Sequence, residues 1–247
     1  MSWLPIAFAI IVIFLAAIVR GFSGFGFSLL AITALSLVYT PAEIVPTIFM
    51  LEIAASLHLL PSIWKDVHWK SLLPLLVGCL VATPLGVWAL ATIPAAPMQL
   101  AMSVFVFAAV GLMAKGFALK SMPGPVASTA AGAASGLANG AFGIGGPPVV
   151  LFYFASPAGH VAGRASLIAF FLATDMIGLA NQGPHGLVTK EAAIRAALFL
   201  PPLLIGIWLG ARSFTKTNPE AFRRAVLIIM AVLALILGVK AVSQLLG

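Results

Sequence analysis

Charge is what this sequence has least of. Of 247 residues only 8% are charged and 62% are hydrophobic, where a soluble domain carries roughly 25% charged residues. A soluble fold must cover its outer surface with polar groups. Thirteen Lys and Arg, six Asp and Glu and four His are too few for that, so a soluble globular protein is excluded. Cysteine is nearly absent: Cys79 stands alone inside an apolar run, which rules out an intramolecular disulfide framework and a Cys-based metal site. The four His show no ligand spacing, and neither a metal nor a cofactor is expected. Alternating strand patterns are missing, so membrane segments here are helices and not barrel strands. The net charge of +7 is scattered one or two basic residues per loop, not patched as nucleic acid would require. No nucleotide-binding loop, paired carboxylate or nucleophile–base arrangement is present, so ATP hydrolysis and other enzyme chemistry are not expected. Met1-Ser2-Trp3-Leu4 lacks a positive leader and the first charge, Arg20, follows the first apolar run. A cleaved signal peptide is therefore not expected, and the N-terminus is expected outside.

What remains is an all-α polytopic membrane protein. Ten apolar stretches are marked: Trp3–Val19, Phe25–Tyr39, Ala42–Leu60, Ser71–Ile93, Met98–Ala114, Val126–Ala138, Pro147–Ala155, Ala165–Ala180, Ala196–Ala211 and Ala225–Val239. The stretches from Val126 and Pro147 reach only about 20 Å and 14 Å as helices, against the ~30 Å of a bilayer core. They are expected to form a hairpin that enters and leaves by one side, with its tip at 139–146. Ten of the thirteen basic residues fall in alternate loops: Arg20; Lys65 and Lys70; Lys115 and Lys120; Arg164; Arg212, Lys216, Arg223 and Arg224. Those loops are expected in the cytoplasm and both termini outside, in the inner (cytoplasmic) membrane of the cell. Trp3, Tyr39, Trp64 and Trp69 fall near stretch ends, as interfacial anchors do. Glu191 and Arg195 are spaced as a helical i,i+4 pair.

The chain also repeats itself. Gly21-Phe22-Ser23-Gly24-Phe25-Gly26 recurs as Gly140-Ala141-Phe142-Gly143-Ile144-Gly145, displaced by 119 residues, and Gly86 corresponds to Gly210 at 124. Five stretches per half is odd, so the halves have inverted topology, with Gly-rich broken or re-entrant hairpins meeting near the midplane. That architecture is typical of secondary transporters. The expected division is a first repeat over 1–114, a cytoplasmic linker over 115–124 and a second, inverted repeat over 125–247.

Glycine at Gly-x-x-Gly-x-Gly spacing lets the backbone turn sharply, and a helix restarting after such a break presents N–H groups and a positive dipole end to an anion. Pro147 and Pro148 suit the first turn of that helix. The expected anion cradle comprises Gly21, Gly24 and Gly26 with Gly140, Gly143, Gly145 and Gly146, and Ser23 and Asn139 add side-chain donors. Gly132, Gly136 and Gly140, and Gly206 with Gly210, have the spacing of helix-packing faces; a homodimer is the partner expectation they raise. Arg20 precedes the first motif as Asn139 precedes the second. It either holds an oxyanion bidentately or is a loop arginine obeying the charge rule. Glu52 and Asp175 sit mid-stretch, where an ionisable group is costly. They either carry a coupling proton or cation, with His58 as a relay partner, or make helix–helix hydrogen bonds. By the offset of 119, Asp175 maps to position 56, one turn from Glu52.

The run Gly140-Ala-Phe-Gly-Ile-Gly-Gly-Pro-Pro-Val-Val-Leu, its degenerate copy from Gly21 and the Pro/Gly-rich fourth stretch of each half resemble the TauE/SafE sulfite-exporter family, within the toluene-sulfonate uptake permease group. The resemblance covers roughly residues 10–240. It implies a permease for small anionic sulfur compounds such as sulfite, sulfoacetate, other organosulfonates or thiosulfate, with the family's marked positions at Gly140, Gly143, Gly145, Gly146 and Pro147. Phe22, Phe25, Phe27 and Ser28 depart from the pattern. An aromatic lining there favours a substrate with an apolar portion. A coupled secondary transporter, a passive anion channel and a permease for another small organic anion remain the alternatives.

Overall fold

The computed structural model describes residues 3–115, 121–155, 160–213 and 219–246. Half of the expected linker, 116–120, falls outside them, as do Lys216 and the side chains of Trp3, His160 and Arg223. The described residues form ten α-helices: α1 (Trp3–Ser23), α2 (Phe27–Leu35), α3 (Pro41–Ile63), α4 (Trp69–Thr92), α5 (Ala95–Lys115), α6 (Pro125–Phe142), α7 (Gly146–Ala155), α8 (His160–Gln182), α9 (Lys190–Ser213) and α10 (Pro219–Leu246), with a 3₁₀ turn at Trp64–Asp66. Each apolar stretch has become one helix. Seven of these helices are long and apolar enough to cross a membrane: α1, α3, α4, α5, α8, α9 and α10.

Two expected lengths are corrected. The second stretch, marked as 15 residues, holds a helix of only nine, α2, about 13 Å long. Its expected tail, 36–39, turns away, and its carbonyls find distant partners: Gln99 Nε2 donates to Ser36 O at 2.7 Å and Lys240 Nζ to Leu37 O at 3.0 Å. Conversely, α6 runs for 18 residues, about 27 Å, because its glycines are tolerated inside the helix and only Gly143 ends it. The short helices are therefore α2 and α7, one in each half.

Small residues set the packing. Along α4 and α6, Gly78, Gly86, Gly132, Gly136 and Gly140 each lie so close to the facing backbone that a Cβ would strike it. Gly21, Gly206 and Gly210 do the same between α1 and α9. Such backbone approach is how helices associate where water provides no hydrophobic drive. The glycine faces that raised a dimer expectation are thus filled within the chain. Ser103 Oγ donates to Ala234 O at 2.8 Å and ties α5 to α10, and Gly178 of α8 sits against the Phe49 ring of α3.

The chain ends and turns follow local chemistry. Thr40 donates both its N–H and its hydroxyl to the Glu43 carboxylate at 2.8 and 2.9 Å, fixing the start of α3. Arg195 does not pair with Glu191; it donates to Glu43 O at 3.1 Å and lies over the Tyr39 ring. Trp64 and Trp69 stack edge to face, both exposed, at the opposite end of α3.

The buried charged cluster between two broken helices

Each short helix follows a glycine break. After α1 the backbone enters the left-handed region at Gly24 (φ 81°) and Gly26 (φ 90°), a conformation open to glycine without steric strain. After α6 it does so at Gly143 (φ 68°), whose N–H bonds Asn139 O at 2.8 Å while Ile144 N–H reaches Ala138 O. Side chains lock both breaks. The Ser23 hydroxyl lies 2.7 Å from the carbonyls of Val19 and Phe25. Asn139 Oδ1 accepts the Gly145 N–H at 3.2 Å, and the Ser135 hydroxyl donates to Gly145 O.

Arg20, in the last turn of α1, is 1% exposed and forms an ion pair with Glu52 of α3, which is 3% exposed. It is not a loop residue. Its Nη2 donates to Ser56 Oγ at 2.8 Å, while its buried Nε has no hydrogen-bond partner among the described residues. Glu52 Oε1 accepts the Ser28 N–H at 3.3 Å. Ser28 lies in the first turn of α2, where N–H groups lack intrahelical partners and the helix dipole is positive. One carboxylate is thus held by a guanidinium and a helix N-terminus together.

The second half builds the matching contact with milder groups. Asn139 Nδ2 donates to Asp175 Oδ1 at 3.1 Å, and Asp175 has no ion-pair partner among the described residues. Asn139 is therefore committed to Asp175 and Gly145, not free to meet an anion as the sequence suggested. Replacing it with Leu strands two buried groups, each worth about 0.6–2 kcal/mol in membrane helices. Asn139→Leu is expected to lower the thermal unfolding midpoint by several degrees, and an unchanged midpoint contradicts these contacts.

The two breaks border one small cavity, walled by Phe25, Gly26, Ser28, Glu52, Gly146 and Phe171, among others. Of the expected cradle glycines only Gly26 and Gly146 line it. Gly21 and Gly140 pack against α9 and α4, Gly24 lies against the stem of Arg164, Gly143 fits between Ile32 and Val45, and Gly145 presses on Asn139 and Ser135. Ser23 serves the turn. His58 is exposed and takes no part in the cluster. Sequence reasoning missed Ser56, which shares a face with Glu52 at i,i+4, and the Ser28 N–H, whose role depends on where α2 begins. Phe171 and Met113 also reach the cavity, and no local pattern marks them. No group of His, Cys, Asp and Glu among the described residues could hold a metal.

Seven helices long and apolar enough to cross a membrane, two short helices that each follow a glycine break, and a charged cluster buried between them define a multi-pass membrane protein. The chain belongs to the family described as "Sulfite exporter TauE/SafE", which it matches over residues 9–237; this is a family of transporters and not of enzymes. A relative from Cupriavidus necator, named "Probable sulfite/organosulfonate exporter TauE", is 24% identical over 210 residues, covering 83% of this chain and 82% of the relative. No solved structure matches the chain.

Proposed function

We propose that this protein is a secondary transporter exporting small sulfur-containing anions, sulfite or an organosulfonate, across the inner (cytoplasmic) membrane, coupled to protons or to the membrane potential. The observation that carries the reading is Arg20: a buried guanidinium paired with Glu52, whose carboxylate also takes the Ser28 N–H at the start of α2 and lines a cavity bordered by both glycine breaks. A guanidinium and helix N–H groups are the donors an oxyanion takes. The two breaks are unequal in this respect. The first turn of α7 contains Pro147 and Pro148, which have no N–H to offer, so the anion is assigned to the α2 side. Phe25 and Phe171 at the cavity suit a substrate with an apolar portion. The relative's name, a probable exporter of sulfite or organosulfonate, supports the same substrates and the outward direction.

The inverted repeat belongs to this proposal. Its support is reciprocal packing: α1 rests on α9 as α6 rests on α4, while α3 meets α8 and α5 meets α10. Arg20 and Asn139 differ by 119 residues, and their partners Glu52 and Asp175 by 123, between the offset at the glycine motifs and the 124 at Gly86 and Gly210. Asp175 is thereby the counterpart of Glu52 itself and not of position 56. The α2–α3 turn, Lys240 near the end of α10 and Arg195 near the start of α9 gather at one end of the bundle. α1 runs parallel to α9, with Phe14 and Ala17 beside Gly206 and Ile18 beside Gly210, so the start of α1 and the end of α10 share that end. Without Arg20 the loop count becomes nine of twelve basic residues on the other side (ten of thirteen, less one), which keeps the termini outside.

Counterflow in proteoliposomes with labelled sulfite, competed by taurine, sulfoacetate, an aromatic sulfonate, acetate and sulfate, tests the function. Exchange inhibited selectively by one or two sulfur anions is the expected result. Flux that only follows gradient and potential, without counterflow, would make the protein a channel. Exchange of acetate alone would move it to another organic anion.

A further inference from the structure

Glu52 occupies two of the donors that an entering anion would use. One oxygen is paired with Arg20, the other lies 3.3 Å from the Ser28 N–H at the start of α2, and the carboxylate walls the cavity that both breaks border. Arg20 keeps one further buried donor, Nε, with no acceptor among the described residues. A carboxylate seated this way has the charge and the hydrogen bonds of a bound substrate, except that it is tethered to α3.

We propose that Glu52 is a built-in occupant of the anion seat, and that a substrate anion takes that seat only as Glu52 takes up a proton. This rests on the reading that Arg20 and the α2 N-terminus hold the anion. Two negative groups sharing one guanidinium in a site closed to water repel each other strongly. Protonation of a Glu52 oxygen, with the proton drawn from the aqueous phase, removes one of the two charges and frees Arg20 and the Ser28 N–H for the newcomer. Proton and anion binding are then positively linked, about one proton per anion.

The surroundings leave few other proton acceptors. Arg20 from α1 and Asp175 from α8 are the titratable groups placed near Glu52. From α2, α5 and α7 the cavity receives Ser28, Met113 and Pro147. On α3 itself His58 is exposed, and Glu43 is bound to Thr40 at the helix start. Charged residues of α4 and the 3₁₀ turn (Lys65, Asp66, Lys70), and of α9 (Lys190, Glu191, Arg195), meet the two ends of α3 and not its middle.

The test uses the whole protein in lipid nanodiscs and two permanently ionised probes, methanesulfonate and benzenesulfonate, so that the ligand itself does not titrate. Calorimetric binding in buffers of different ionisation enthalpy is expected to show about one proton taken up per anion, with affinity falling toward about tenfold per pH unit at high pH. Glu52→Gln is expected to bind with no proton uptake and no pH dependence. Binding to the wild type without uptake, or uptake retained in Glu52→Gln, overturns the proposal.

A second arm does not depend on the substrate. Glu52→Ala and Glu52→Gln are heated with formate, acetate, chloride or methanesulfonate. An emptied seat beside Arg20 is expected to raise the unfolding midpoint of at least one variant by several degrees with a small anion, with no rise in the wild type or in Arg20→Gln/Glu52→Ala. Absence of any such rise in both single variants overturns the proposal. If sulfonates fail everywhere while formate or acetate stabilises, the sulfur-anion reading falls and the Glu52 seat stands. The calorimetric titration is then repeated with the stabilising anion, and its proton count decides the linkage.

Discussion

Arg20→Ala is expected to abolish anion exchange and to lower stability by about 3–5 kcal/mol, the loss expected when one partner of a buried ion pair is removed. The loss is large because Glu52 stays behind, 3% exposed, with Ser28 but no positive side chain to hold its charge. Arg20→Lys keeps the charge but not the fork that spans Glu52 and Ser56, so it is expected to fold better than Arg20→Ala and to exchange poorly. The decisive variant removes both charges. Arg20→Met with Glu52→Met leaves neither of the paired charges behind, and replacement of a buried pair by apolar groups is often neutral or stabilising. Its unfolding midpoint is expected to return to within a few degrees of wild type while exchange remains absent. Normal exchange in the double variant would remove the pair from the transport site. Failure of the midpoint to recover would show that the cluster is needed to specify the fold as well as to bind.

The sequence carried the helices and concealed the pairings. Hydrophobic runs of the right length mark α1, α3, α4, α5, α8, α9 and α10, because lipid leaves a spanning chain few other solutions. The end of α2 was illegible for a physical reason. Leu37, Val38 and Tyr39 are as apolar as a helix interior, and what releases them from the helix is Gln99 and Lys240, 63 and 204 residues away from Ser36. α6 was shortened for the opposite reason: Asn139 and Gly140 look like a break, yet the helix continues until Gly143, where the left-handed turn occurs. Arg20 illustrates the deepest ambiguity. An arginine after an apolar run is most simply a loop charge, and its partner Glu52 is 32 residues distant. The available hints were its match to Asn139 across the repeat and the Glu52–Ser56 spacing.

The glycines divide into two physical roles that a motif cannot separate, and Gly140→Val is expected to separate them. Gly140 stood among the expected anion-cradle glycines, yet a side chain there would strike Thr83 O and come within 2.8 Å of Val87 N, both backbone atoms of α4. Overpacking in a core usually costs about 1–3 kcal/mol because side chains give way. Here the obstacle is another helix's backbone, and yielding means parting α4 from α6 along the seam that also contains Gly78, Gly86, Gly132 and Gly136. Gly140→Val is therefore expected to lose most of the folded protein, seen as a collapsed monodisperse yield and an unfolding midpoint lowered by more than 10 °C. Gly111→Ala, where a Cβ meets nothing within 4 Å, is the matched control and is expected to behave as wild type. A change that acted through the anion would leave yield and midpoint intact and raise only the concentration needed for exchange. That outcome in Gly140→Val would return the glycine to the transport site; the close approach of the two backbones argues that it will not occur.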